Sequence, residues 1–147
     1  MALFHKQHIP KIFSGQKVQT RRLHKRKWKV GKVYVLRRNW FDKGIGKILI
    51  TRRFEQKLGE ISPEDVKKEG YNSLEEFRRA WESINGEWNP EKTVTVYEFK
   101  LLECPRCGEK WMIQPLFYFE EACARGKMRL FCGSCGHVWE ESVEQNE

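Results

Sequence analysis

The sequence predicts an α+β chain: a small, mostly antiparallel barrel or curled sheet with short helices over its openings, then a metal-stapled ribbon. Three observations predict it. Segments rich in alternating and β-branched residues, at 32–37, 47–54 and Thr93–Leu101, read as strands. Two capped helix starts, at Ser62 and Ser73, fall between them. Two Cys-x-x-Cys-Gly units lie beyond the last strand. With 147 residues the chain has room for one modest core and a small appendage.

Residues 5–13 form a poor helical segment, interrupted by Pro10 and stopped at Gly15. The next stretch sets a Lys-x-x-Thr-x-Arg frame (Lys17, Thr20, Arg22) directly after a glycine turn. On a strand over 17–22, Val18, Thr20 and Arg22 share one face, and Gln19 and Arg21 point the other way. Lys17, at the mouth of the turn, swings over the Thr20 face. Such donors suit a phosphate or a polarised carbonyl. A charged edge strand kept soluble by its bases would look the same.

Residues 23–30 read as a basic loop too charged to bury, with Lys25, Arg26 and Trp28 among its members. Gly31 opens the strand that ends near Arg37 and Arg38, and a glycine-containing connection leads to the strand carrying Arg52 and Arg53. Ser62-Pro63-Glu64-Asp65 is a helix start: a capping hydroxyl, a first-turn proline and acids at the positive dipole end. Gly70 stops that helix. Ser73-Leu74-Glu75-Glu76 is a capping box, opening a helix with an apolar stripe of Phe77, Ala80, Trp81 and Ile84. Trp81 and Trp88 have core-like spacing.

The net charge of +8 is unevenly spread. Residues 1–53 hold sixteen Lys and Arg against a single acid, Asp42, whereas acids outnumber bases in 54–100 and again in 101–147. The lopsided pattern predicts a polyanion-binding face, most simply for RNA or DNA, over uniformly solvated lysines. No apolar run approaches the roughly 18 residues of a membrane helix, and residues 1–10 carry no signal core. A soluble, cytoplasmic protein without a membrane partner is expected.

Cys104, Cys107, Cys132 and Cys135 supply two tight turns, each aiming two thiolates at one ion. Glycine after the second cysteine accommodates the backbone there. Four such thiolates suit tetrahedral structural zinc. The competing readings are a redox disulfide or an iron site, and the βαβ context of thioredoxin chemistry is missing. A closed four-cysteine site has no open position for catalysis. The intervening Trp111, Leu116, Phe117, Tyr118, Phe119 and Leu130 suffice for a ribbon but not for a metal-free domain. Cys123 reads as a buried structural thiol, and His137 as a bystander.

In order, Ser14-Gly15-Gln16-Lys17, Thr20, Arg22, Gly31-Lys32-Val33-Tyr34, Leu58-Gly59, Glu69-Gly70-Tyr71, Leu74-Glu75-Glu76-Phe77, Trp81, Gly86-Glu87-Trp88-Asn89-Pro90 and Val94-Thr95-Val96-Tyr97-Glu98-Phe99 resemble an ASCH domain of the PUA-like barrel superfamily. The likeness is strongest to its small archaeal-type members and covers residues 1–102. It implies a PUA-like barrel whose cleft faces RNA. A subset of the family resembles amidohydrolases acting on N4-acetylcytidine. In that subset the frame's lysine and threonine work with a glutamate, which implies catalytic roles for Lys17, Thr20 and Glu69 here. Those hydrolases are smaller and carry no ribbon.

The expected organisation is an ASCH/PUA-like domain over 1–102, a zinc ribbon over 103–140 and an acidic tail over 141–147. The expected function is RNA or nucleotide binding through Lys17, Arg21, Arg22, Lys25, Arg26, Trp28, Arg37, Arg38, Arg52 and Arg53, with Trp28 and Trp40 as stacking surfaces. The ribbon would add a contact surface or bind a protein partner. Amide hydrolysis on a modified nucleoside is the alternative: Thr20 as nucleophile, Lys17 as its base, Glu69 protonating the leaving amine or holding water.

Overall fold

The computed structural model describes residues 2–24, 27–116 and 124–145. Five strands form a curled half-barrel in the order β1-β3-β4-β5-β2: β1 (Ala2–Leu3), β2 (Gln19–Arg22), β3 (Val33–Arg37), β4 (Gly46–Lys57) and β5 (Thr93–Leu101). All pairings are antiparallel except that of β1 with β3. Among the described residues three α-helices accompany it: α1 (Ile9–Phe13), α2 (Pro63–Lys68) and α3 (Leu74–Asn85). This is the α+β, mostly antiparallel architecture expected from the strand pattern. Only β1 was not anticipated, because two residues carry no periodicity.

Local chemistry explains the helix ends. Ser62 Oγ accepts the Asp65 amide at 3.1 Å, and Ser73 Oγ accepts that of Glu76 at 3.2 Å, so each serine satisfies an amide that would otherwise lack a partner. Glu76 reaches back to the Asn72 amide at 3.3 Å, one residue before the cap. The α3 stripe buries Phe77 and Trp81, while Ile84 stays 44% exposed.

Strand alternation splits the core in two. From β5, Tyr97 and Phe99 enter the barrel with Trp28, Leu36, Ile48 and Ile50. Val94 and Val96 meet Leu58, Val66, Phe77 and Trp81 beneath α2 and α3. Trp28 is 7% exposed, against the expectation that the basic 23–30 loop stays outside. Its backbone amide donates to Tyr97 Oη at 3.1 Å, and Arg53 donates to its carbonyl at 2.9 Å, so polar groups pull the loop inward while Lys27 and Lys29 stay exposed.

A second sheet, order β6-β7-β8, follows: β6 (Ile113–Pro115), β7 (Lys127–Cys132) and β8 (Val138–Ser142). It shares a core with the barrel. Leu49, on the outer face of β4, and Leu102 pack against Ile113, Met128, Leu130 and Val143. A fully buried leucine of this kind stabilises by about 1.5–3 kcal/mol. The register of β4 against β5 shifts between Ile50 and Arg52, and the Thr51 carbonyl at the shift accepts the Glu144 amide at 2.7 Å. Because β8 runs through Ser142 and Val143 is buried, residues 141–143 are structured chain, a correction to the acidic tail drawn from 141. Lys25, Arg26, Phe117, Tyr118, Phe119 and Cys123, all singled out from the sequence, lie outside the described residues.

Candidate functional site

The turn after α1 delivers Lys17. Its amide donates to the Lys11 carbonyl at 2.9 Å, and the next amide, of Val18, donates to Lys68 at 2.8 Å, which ties the turn to the end of α2. There Gly70 adopts φ +95°, and a Cβ at that position would come within 3.1 Å of the Lys11 side chain and 3.4 Å of the Lys17 Cβ. Glycine therefore lets Glu69 and Lys17 approach. Lys17 Nζ donates to Glu69 Oε2 and to the Glu69 carbonyl, both at 2.9 Å. The two side chains are 3% and 4% exposed.

Glu69 is shared. Its Oε1 accepts Arg21 at 3.1 Å, and Arg21 also donates to Gln19 at 2.5 Å and Gln56 at 2.9 Å, with Asp65 at 3.4 Å. Arg21 thus binds four of the protein's own acceptors with its side chain sealed from solvent, and its Nε alone is left buried without a hydrogen-bond partner among the described residues. The alternation predicted for the strand holds: Arg21 bonds Gln19 on one face, and Arg22 Nε donates to Thr20 Oγ1 at 3.2 Å on the other.

Arg22 is the exception among the inner cations. Its guanidinium lies 4.4 Å from the Phe4 ring centroid and 5.0 Å from that of Trp28. Among the described residues no carboxylate pairs with it directly. Burial lowers its pKa to about 10, partly opposed by the Glu69 charge. Burial likewise lowers the Lys17 pKa; Glu69 opposes the shift, and Arg22 and Lys11 add to it. His8, 6% exposed, is held down to about 3 by burial first and the Lys17 charge second, so its imidazole is neutral. Its Nδ1 is buried with no hydrogen-bond partner among the described residues.

Lys17, Thr20, Arg22, His8, Glu69 and Tyr71 line one cavity of about 520 Å³, with Arg38, Asn39 and Trp40 along another part of its wall. That volume falls in the range of small-molecule sites. Sequence reasoning assembled Lys17, Thr20, Arg22 and Glu69 but missed His8 and the Phe4 cradle, which only the N-terminal fold-back brings close. Lys17 reaches Glu69 rather than Thr20. Of the other predicted cations that the structure describes, Arg21 and Arg38 also line the cavity, and Arg37, Arg52 and Arg53 do not. Arg38 is at the cavity, bonded to Asp42 at 2.9 Å. Arg37 leaves its Nε buried and unpartnered. Arg52 pairs with Glu98 at 3.0 Å, and Arg53 holds Trp28. Trp28 has its ring against Tyr34, Tyr97 and Arg22 inside the core and is no open stacking surface.

At the other end, the Sγ atoms of Cys104, Cys107, Cys132 and Cys135 all lie within 4.8 Å of one another. The Cys104–Cys135 and Cys107–Cys132 separations are 3.6 Å, far beyond a disulfide bond. They are close to the roughly 3.8 Å edge of a tetrahedron with metal–sulfur bonds of about 2.3 Å. Glycine amides close both turns, Gly108 to Cys104 and Gly136 to Cys132, each at 2.9 Å. Glu109, unforeseen from sequence, joins the two turns. It accepts the Ser134 hydroxyl at 2.5 Å and the Trp111 amide at 2.9 Å, bonds that pull its carboxyl down to about 2. His137 stacks on Trp139 outside the cluster. The thiol set fits a four-coordinate metal.

Among the described residues no helix is long and apolar enough to cross a membrane. No family model matches the chain, and no curated protein matches it. Solved structures do. An ASCH domain from Lactobacillus crispatus superposes with a TM-score of 0.55 at 20% identity, covering 62% of this chain and 67% of that one. A protein from Enterococcus faecalis described under the DUF984 family model gives 0.50 at 16% identity with the same coverages. The first hundred residues, with their curled sheet and inward-facing lysine, threonine and arginine, sit in a chain whose fold is ASCH-like.

Proposed function

We propose that this chain binds RNA by admitting one nucleoside of a strand into the cavity of its ASCH-like half-barrel. The carrying observation is Arg22: a desolvated guanidinium, stacked on Phe4 and Trp28, with no directly paired carboxylate among the described residues, beside a cavity of about 520 Å³. A cation so placed is preorganised for an anion or a polarised oxygen. The basic first third supplies the longer-range field. In this reading residues 1–102 form the binding domain. The ribbon beyond them is held by a structural zinc on Cys104, Cys107, Cys132 and Cys135, and serves as an accessory contact module for RNA or a protein partner. The test is fluorescence anisotropy with a labelled single-stranded RNA. Arg22→Ala is expected to weaken binding about 10- to 100-fold, the scale of a lost charged hydrogen bond. Arg22→Lys recovers little, because an ammonium has no plane to stack. Equal affinity for wild type and both variants rules the pocket out as the binding site.

A second reading, amide hydrolysis of N4-acetylcytidine or a related nucleoside, is favoured by one observation: Lys17, Thr20 and Glu69 line the same cavity, and burial lowers the Lys17 pKa. Thr20 Oγ1 would attack the acetyl carbonyl as Lys17, having first passed a proton to Glu69, takes the hydroxyl proton. Glu69 protonates the departing amine of cytidine, and water then releases acetate from the threonine ester. Cytidine formation from N4-acetylcytidine, absent in Thr20→Ala, is the expected result. No turnover by wild type removes this reading.

A further inference from the structure

Residues 38–45 join β3 to β4 and carry the most exposed aromatic side chains among the described residues of the barrel: Trp40 is 70% exposed and Phe41 97%. Water-exposed aromatics on a loose loop would collapse onto nearby apolar surface. This loop is built so that they cannot. The Asp42 carboxylate accepts the Arg38 amide at 3.0 Å, the Arg38 Nε at 2.9 Å and the Gly44 amide at 3.1 Å. Asn39 Oδ1 accepts the Phe41 amide at 2.9 Å. The single acidic residue in the first 53 is therefore the one that folds this turn.

The turn is also supported from behind. Gly44 has φ +117°, and a Cβ there would meet Val35 Cγ1 at 2.5 Å and the ring of Trp111 at 2.9 Å. Only glycine permits that contact. Trp111 belongs to the segment that follows the first cysteine turn, and it is fixed in place by its amide bond to Glu109 and by Lys47, whose Nζ sits 5.2 Å from its ring centroid and donates to the Ile113 carbonyl at 3.1 Å. In front of the loop, Arg38, Asn39 and Trp40 line the cavity that holds Arg22.

We infer that this loop is a second nucleotide subsite: Trp40 and Phe41 stack the unpaired base next to the nucleoside in the cavity, and the ribbon braces the loop through Trp111. The inference rests on the RNA-binding reading and gives that site a length greater than one nucleotide. Charge decides the occupant. The aromatic pair is set among Arg37, Arg38 and Lys43, and its one acid, Asp42, is spent on the Arg38 guanidinium and two backbone amides, so the loop keeps a net positive charge that suits a polyanion with stackable bases. It also gives the ribbon a part in recognition without any contact to RNA.

The experiment uses the metal-loaded full chain and two probes: a labelled single-stranded RNA hexamer of randomised sequence, and uridine 5′-monophosphate as competitor. The double variant Trp40→Ala/Phe41→Ala, whose exposed side chains hold no core together, is expected to bind the hexamer about 5- to 150-fold more weakly, the range for one lost base stack. Phe41→Ala alone, at a side chain 97% exposed and outside the cavity lining, should weaken the hexamer while its affinity for the mononucleotide stays within about twofold of wild type. Arg22→Ala should weaken both probes. Trp111→Ala should weaken the hexamer alone. Unchanged hexamer binding in the double variant overturns this subsite and leaves the cavity reading standing. Unchanged binding in Trp111→Ala overturns the brace. A wild type that binds neither probe takes down the RNA reading and this inference together. Phosphatidylserine vesicles that bind wild type but not the double variant, with hexamer binding intact, reassign the aromatics to a membrane surface.

Discussion

At the cavity, Lys17, Arg21 and Glu69 are taken out of water and held by one another; at the ribbon, four thiols converge with only an apolar floor, shared with β4, behind them. Buried ion pairs are weak stabilisers: apolar residues of similar size often do as well or better, whereas removal of one partner is costly. A network that adds little stability and lines a cavity marks a candidate functional site. The ribbon shows the converse. Its three short strands bury too little alone, so its order depends on what the thiols hold and on the barrel beneath it.

Metal removal separates the two ends most sharply. Chelation of the full chain should expose β6, β7 and β8 to fast amide exchange, a loss on the scale of about 10 kcal/mol or more for a structural zinc. Strands β3, β4 and β5 should stay protected. Loss of protection throughout would mean that the shared core of Leu49, Leu102 and Leu130 makes one cooperative unit of the chain.

The cavity answers to a different change. Glu69→Leu strands two buried cations and should cost about 3–5 kcal/mol in urea unfolding, part of it recovered by adding Lys17→Met. A cost below about 1 kcal/mol would place these charges in water. Acid sharpens the contrast more gently. The folded-state pKa of His8 lies near 3, below the ordinary 6.5, so the unfolded chain binds more protons between those values. Stability linked to His8 is therefore full above about pH 6.5 and lost as pH falls towards 3. Discounted for partial solvation, the loss is about 1–3 kcal/mol. His8→Leu should show a shallower acid slope over that window, and an identical slope would mean a solvated imidazole. Least of all, Arg52→Ala, which breaks the exposed pair with Glu98, should change stability by less than about 1 kcal/mol.

Much of this was legible in the sequence where the determinants are local. The strand Thr93–Leu101 follows from alternation, the starts of α2 and α3 from Ser62 and Ser73, and the thiol cluster from its spacing. The Lys17–Glu69 meeting, 52 residues apart, came from family resemblance rather than pattern. What stayed hidden depends on distant parts of the fold. Trp28 looks exposed within its lysines until Tyr97 and Arg53 are seen to draw it in. Leu49 looks like one more barrel residue until the strand's outer face meets the ribbon. His8 sits in a segment with no period, and its place beside Tyr71 exists only because α1 folds back over the sheet.

The most direct test of the central claim is an amide and side-chain NMR map of the full chain titrated with a short single-stranded RNA. Binding at the buried-charge cavity predicts the largest shifts at His8, Lys17, Thr20, Arg22 and Tyr71, with Arg52 and Arg53 nearly still. Shifts centred on Arg52 and Arg53, with the cavity residues unmoved, would contradict the account.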